Sequence, residues 1–177
     1  MIVRPLAVLI AVFVPMLIEA RRAARNERAQ HARGGIEPAG DVYPLMQVAY
    51  PGAFLAMLVE GALRSPSMTI VAAGAAVFAA AKALKWWAIA ALGPAWTFRI
   101  VVVPGARRIE SGPYRFLRHP NYVGVIGELA GVGLMTGAVV SAPAAIVIFG
   151  ALILKRMAVE ERAWSVLRTR TGPSDEG

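Results

Sequence analysis

The stretch from Gly105 to Gly127, GARRIESGPYRFLRHPNYVGVIG, gathers most of the side chains in this chain that can do polar chemistry. Tyr114, Arg115, Arg118, His119 and Tyr122 lie close together in it, punctuated by Gly112-Pro113 and Pro120. Ser111-Gly112-Pro113 reads as a turn. Pro120 pushes His119 out of helical geometry, and Asn121 is placed to cap the helix that follows. A helix N-terminus preceded by arginines presents free N–H groups and positive dipole, a setting that stabilises a bound carboxylate. A second acidic element, Glu160-Glu161, stands in an otherwise Arg-rich tail. Successive helical residues point about 100° apart, so one of the two carboxylates faces inward, where it can accept hydrogen bonds from a ribose diol or a cation. Glu128 is the third candidate. It is the single charge in the 33 residues from Tyr122 to Leu154, and an acid so placed is costly unless it faces a cavity or a partner. It suits a general base if the group being modified is a hydroxyl.

The elements that hold these residues are apolar helices. Of 177 residues, 57% are hydrophobic and 17% charged, and the mean hydropathy is +0.56. That excess has lipid as its natural solvent. Five apolar segments emerge, at 2–18, 43–63, 68–92, 122–136 and 140–155. The last two come from one run, which as a straight helix would be roughly 50 Å long against a hydrocarbon core of ~30 Å. Gly137 and Ser141-Ala142-Pro143 mark a turn within it, so the pair reads as a helical hairpin. The Ala/Gly richness of the third span suits close helix packing. The first segment reads as a retained span, because Glu19-Ala20-Arg21-Arg22 follows where a cleavage site would be small and neutral. The expectation is therefore an all-α membrane protein of about five transmembrane helices.

Charge gives the orientation. Of the 19 Lys and Arg, 15 fall in the first loop (Glu19 to Asp41), the third loop (Gly93 to Pro120) and the tail. Positive-inside logic makes that side cytoplasmic, with the N-terminus outside, the C-terminus in the cytosol and the polar motif in a cytoplasmic cofactor pocket. A multi-pass protein of the bacterial inner membrane is expected, the basic loop meeting anionic lipid. The net charge of +8 does not argue for nucleic acid, since the cations are divided among loops rather than set along one aromatic-lined face. With no cysteine and only His31 and His119 as imidazoles, disulfides and thiolate chemistry are excluded and no metal site is expected.

The block Gly112-Pro113-Tyr114-Arg115…Arg118-His119-Pro120-Asn121-Tyr122-Val123-Gly124, followed by Glu160-Glu161 and preceded by Leu92-Gly93-Pro94-Ala95-Trp96-Thr97, resembles the isoprenylcysteine carboxyl methyltransferase family. The resemblance covers about residues 83–167, with the catalytic segment at 105–167 of a single transmembrane domain. It implies methyl transfer from S-adenosylmethionine, leaving S-adenosylhomocysteine, in a helical bundle without a Rossmann-like domain. Tyr114, Arg118, His119, Pro120, Tyr122 and Gly124 would then line the cofactor site and Glu160 and Glu161 would close it, with Arg118 and His119 also serving the reaction. Glu128, which lies outside the motif, is the further catalytic candidate as the lone acid of its apolar run. The acceptor would be a lipophilic or prenylated molecule, methylated on a carboxylate (isoprenylcysteine-like) or on a hydroxyl (alkylpyrone- or alkylresorcinol-like).

Each assignment has a structural counterpart. His119 can be a turn residue, Arg118 a lipid-facing cation, Glu160 or Glu161 a partner of Arg156 or Arg162, and Glu128 a partner of Lys82 or Lys85. Trp86, Trp87 and Trp96 read as an interfacial belt, or one of them as a cation–π partner of the sulfonium. Other functional classes remain open at this level: a membrane NADPH-dependent sterol-type reductase, a phospholipid N-methyltransferase and a non-enzymatic scaffold.

Overall fold

A computed structural model describes residues 3–106 and 108–170. It contains five helices and, among the described residues, no strand: α1 (Val3–Ala32), α2 (Tyr43–Gly61), α3 (Met68–Leu92), α4 (Pro120–Thr136) and α5 (Ser141–Arg170). Two short 3-10 turns, Gly93–Ala95 and Gly112–Arg115, punctuate the long α3–α4 connection. Two segments, Met68–Ala95 and Ser141–Val166, are long and apolar enough to cross a membrane. Large apolar side chains point outward around the bundle, Val48, Val59 and Val147 each more than 70% exposed.

The α3–α4 pair is the spine. Gly124, Gly127 and Gly131 line one face of α4, and a Cβ added to them would meet Lys85 Cβ at 2.9 Å, Ala81 Cβ at 2.7 Å and the Phe78 nitrogen at 2.7 Å. Gly74 of α3 repeats this, its added Cβ falling 2.7 Å from the Gly131 carbonyl oxygen. The positions rise along α4 as they fall along α3, so the helices run antiparallel with backbones in close approach. The core at the waist of the bundle is filled by Phe54, Met57, Leu129, Val132 and Phe149, all essentially inaccessible.

The α4–α5 hairpin forms as expected. Gly137 ends α4 in the left-handed region at φ 72°, and Glu60 from α2 caps the start of α5. Its carboxylate accepts from the backbone N–H of Val139, Val140 and Ser141 and from the Ser141 hydroxyl, at 2.7–3.1 Å. Those are the orphan donors of a helix start, met here by a residue distant in sequence.

Two helices are longer than the apolar segments that seeded them. Helix α1 continues through the first loop expected at Glu19 to Asp41, as far as Ala32, and α5 continues past residue 155 to Arg170. Hydropathy marks where an apolar stretch ends, not where hydrogen bonding stops, and Ala, Arg, Glu and Gln are good helix formers. The extension of α1 is held by its polar face. Arg22 donates to the Ile89 carbonyl, Asn26 to those of Gly93 and Trp96, and Gln30 to those of Pro94 and Ala95. These carbonyls lie in the last turn of α3 and the 3-10 turn that follows it, so α1 splints the α3 C-terminus. The β-branched run after Arg99 pairs as a single antiparallel bridge between Val102 and Ile36.

Gly131→Ala is expected to cost about 1–3 kcal/mol by overpacking against the Phe78 backbone. Gly52→Ala, with nothing within 4 Å of its added Cβ, is expected to be neutral or mildly stabilising. Thermal unfolding in detergent checks the pair, and equal midpoints would contradict this packing.

Candidate functional site

Pro120 occupies the first position of α4, where its missing N–H costs nothing, and His119 before it is non-helical at φ −137°, ψ 64°. The turn at Gly112, φ 59°, brings Tyr114 back toward the same place. Helix α5 arrives from the opposite side with Glu160 and Glu161. The elements converge: His119 Nδ1 is 4.0 Å from a Glu160 oxygen, and Arg118 and Arg108 reach Glu161 at 2.9 and 3.0 Å. The His119 ring stacks on Tyr122 with centroids 5.4 Å apart.

Above and beside these groups lies a cavity of about 1090 Å³. Its polar end is lined by Arg108, Tyr114, Arg118, His119, Tyr122 and Glu160, with Asn121 and Trp164 beside them. Toward the bundle interior the wall becomes apolar, through Phe13, Met16, Leu17, Met46 and Phe149, and Lys85, Glu19 and Tyr50 also line it. Pockets for one drug-sized ligand run to ~300–1,000 Å³, so this volume lies at the top of that range.

Burial lowers the His119 imidazole from its ordinary 6.5, against the opposing pull of Glu160 and Glu161, so the ring favours its neutral form. Burial also raises the Tyr114 phenol, which stays protonated across the physiological range.

The sequence-derived site residues divide. Tyr114, Arg118, His119, Tyr122 and Glu160 share the cavity wall. Glu161 sits behind it, paired with Arg108 and Arg118 rather than with Arg156 or Arg162. Pro120 is fully buried as the helix start, and Gly124 packs on Lys85 and Ala81 in the α3–α4 seam, so both shape the site from behind. Asn121 does not cap α4. Among the described residues no side chain caps that helix start, and none partners the buried Asn121 amide oxygen. Trp86 and Trp87 are half exposed, as an interfacial belt requires, whereas Trp96 is 2% exposed and walls the cavity instead.

Glu128 lies one layer deeper. It is 1% exposed, and its carboxylate is 2.9 Å from Lys82 Nζ and 3.4 Å from Lys85 Nζ, with the Tyr50 hydroxyl donating to it at 2.9 Å. The same two lysines pair with Glu19 of α1 at 3.2 and 2.7 Å, and Trp86 donates to Glu19 at 3.0 Å. Two acids and two lysines thus form a closed, charge-balanced cluster beneath the cavity. Glu128 has both of the lysine partners foreseen as its structural role.

Two functional positions were missed from sequence. Arg156, read from the sequence as a tail cation or a partner of Glu160 or Glu161, is 7% exposed. It donates to the Tyr122 hydroxyl at 3.0 Å, to Asp41 at 2.9 Å and to the Phe98 carbonyl. Asp41 also accepts from the N–H of Ile100 and Tyr43. Arg156 therefore locks α5, α4 and the 96–102 loop together and fixes the Tyr122 ring. Nothing in its local sequence distinguishes it from neighbouring cations.

The described residues thus form a helical fold with an apolar exterior and a cavity that has a His/Tyr/Glu mouth and an apolar interior. The isoprenylcysteine carboxyl methyltransferase (ICMT) family matches residues 72–165. The chain is 32% identical over 143 residues to the uncharacterized protein YpbQ of Bacillus subtilis (strain 168), covering 80% of this chain and 84% of that one. It is 28% identical over 145 residues to an uncharacterized protein of Haemophilus influenzae (strain ATCC 51907 / DSM 11121 / KW20 / Rd), covering 81% and 84%. No solved structure matches it. The chain belongs to the isoprenylcysteine carboxyl methyltransferase family, a family of membrane-associated methyltransferases that use S-adenosylmethionine.

Because the folded state lowers the His119 imidazole from 6.5, the unfolded chain binds its proton first as pH falls. The stability His119 contributes is full above pH 6.5 and is lost as pH drops through the lower folded value. Thermal midpoints across pH 7.5 to 5 should fall in the wild type, and His119→Gln should flatten the part of that slope just below 6.5.

Proposed function

We propose that this chain transfers a methyl group from S-adenosylmethionine to a carboxylate or hydroxyl oxygen of a lipophilic acceptor at a membrane. The observation that carries the reading is the meeting of the Arg118-His119-Pro120-Asn121-Tyr122 block with Glu160 across one cavity mouth. Five helices crossing the bilayer, with the N-terminus outside and the mouth at the cytoplasmic face, account for the outward apolar side chains and the one-sided distribution of arginines.

The residues present suit the methyl donor. Glu160 offers a carboxylate to a ribose diol or an ammonium, while Arg108, Arg115 and Arg118 offer guanidinium groups to its carboxylate. Tyr114, His119, Tyr122 and Trp164 supply flat faces for a purine or for the sulfonium charge. The donor brings an activated methyl on sulfur. The protein has to align the nucleophile and keep water out, an orientation and desolvation task. Arg156 contributes by immobilising Tyr122, and a neutral His119 can bond a polar group of the donor without adding positive charge beside the sulfonium. The apolar inner wall suits the alkyl or prenyl part of the acceptor. The family match favours this reading over a nicotinamide-dependent reductase.

S-adenosylhomocysteine at 100 times its Kd should stabilise the fold by about 2.7 kcal/mol, whereas NADPH should not. Radiolabelled methyl should enter a total lipid extract incubated with wild-type protein, and His119→Ala should lower that label more than tenfold, an effect of about 1.4 kcal/mol or more. Equal label with both proteins would refute the site. Label in protein rather than lipid would move the acceptor to a prenylated polypeptide.

A further inference from the structure

Resting on the methyl-transfer reading above, we infer that Tyr50 of α2 is a catalytic residue that takes the proton from a hydroxyl acceptor and passes its own to Glu128. No family motif points to Tyr50, which lies outside the matched segment 72–165.

The geometry is specific. Tyr50 is seven residues along α2 from Tyr43, Lys85 seven before the end of α3, and Glu128 eight along α4 from Pro120. All three therefore lie roughly 10–12 Å below the cavity mouth at 1.5 Å per residue. Tyr50 lines the cavity and Glu128 does not. The Tyr50 O–H is committed to the Glu128 carboxylate at 2.9 Å, which leaves the phenolic oxygen as an acceptor of hydrogen bonds toward the cavity. Its ring is clamped edge-on by Phe54 and Phe149, with centroids 4.8 and 5.3 Å away, so the hydroxyl direction is preset. Glu19 and Glu128 both pair with Lys82 and Lys85, but the Tyr50 hydroxyl reaches Glu128, whereas Glu19 takes its further hydrogen bond from Trp86.

A group that meets an acceptor oxygen at the cavity floor is itself a donor, which selects a hydroxyl over a carboxylate. In the step, the acceptor's O–H bond breaks and its proton moves to the Tyr50 oxygen as the Tyr50 proton moves to Glu128. An O–CH3 bond forms while the S–CH3 bond of S-adenosylmethionine breaks, and the sulfur keeps that electron pair as a neutral thioether. The products are the methyl ether, S-adenosylhomocysteine and a protonated Glu128, whose proton later returns to solvent.

Tyr50→Phe preserves the ring packing and removes the relay. It is tested with a long-chain alkylresorcinol and with a ring-nitrated counterpart whose hydroxyl is already ionised at neutral pH. Loss of a positioned proton acceptor costs ~10²–10⁴-fold. The variant should therefore be about 100-fold slower in kcat on the alkylresorcinol and within about threefold of wild type on the ionised analogue. In the unaltered protein, the alkylresorcinol reaction alone should carry a solvent deuterium isotope effect, a readout that needs no variant. Equal slowing on both acceptors, no slowing on either, or no isotope effect overturns the relay. Activity on neither acceptor, with S-adenosylhomocysteine still stabilising the protein, overturns the hydroxyl assignment and leaves the cofactor reading standing. No stabilisation by S-adenosylhomocysteine removes the underlying reading itself.

Discussion

The buried cluster of Glu19, Lys82, Lys85 and Glu128 is the constraint around which the rest of the molecule is arranged. Each member comes from α1, α3 or α4, and Tyr50 brings in α2. Deleting one partner of a buried pair leaves an uncompensated charge, at a cost of about 3–5 kcal/mol. Within a lipid setting the surrounding helices have no hydrophobic drive to associate, so charge balance and close packing must do that work. Four charges that cancel only when α1, α3 and α4 are all in place make the assembly nearly all-or-none. Lys82, Lys85 and Glu128 alone would carry one positive charge too many, which Glu19 removes.

That cluster also sets the depth and chemistry of the cavity. Lys85 and Glu19 of the cluster, with Tyr50 beside them, are the floor of the space whose mouth holds His119, Tyr122 and Glu160. The glycine seam between α3 and α4 allows this, because Gly124 lies against Lys85 itself. A side chain there would push α4 away from the lysine, so the same residue that reads as part of a cofactor motif acts by bringing the backbones together. Arg156 plays the matching part at the mouth, tying the 96–102 loop and Tyr122 to α5. The site is thus clamped at both ends by charges that are largely removed from solvent.

The polar face of α1 shows how a basic segment can mislead. Arg22, Asn26 and Gln30 recur at helical spacing, and each meets carbonyl groups at the end of α3. Read as composition, residues 19–41 are a charged loop. Read as geometry, residues 19–32 are a helix whose polar face ties α1 to the last turn of α3 and the turn that follows it. Arg156 and Glu60 belong to the same class, since each satisfies groups that lie far away in sequence.

What the residues determined unaided was local or periodic. The apolar runs that become helices, the break at Gly137, the turn at Gly112-Pro113 and the non-helical His119 before Pro120 all depend on neighbours within a few positions, and all appear in the structure, two of the helical segments being long and apolar enough to cross a membrane. The convergence of His119 with Glu160 was legible only through the resemblance, because nothing local relates positions forty residues apart. Tertiary structure alone decided the rest. Hydropathy cannot distinguish a cation that ends a span from one that lines a site, so the fates of Lys82, Lys85 and Arg156 depended on which helix faces meet. Nor can it reveal that Glu19, Tyr50 and Glu128 share one depth, since that follows from how far each lies along its own helix once the helices are packed side by side.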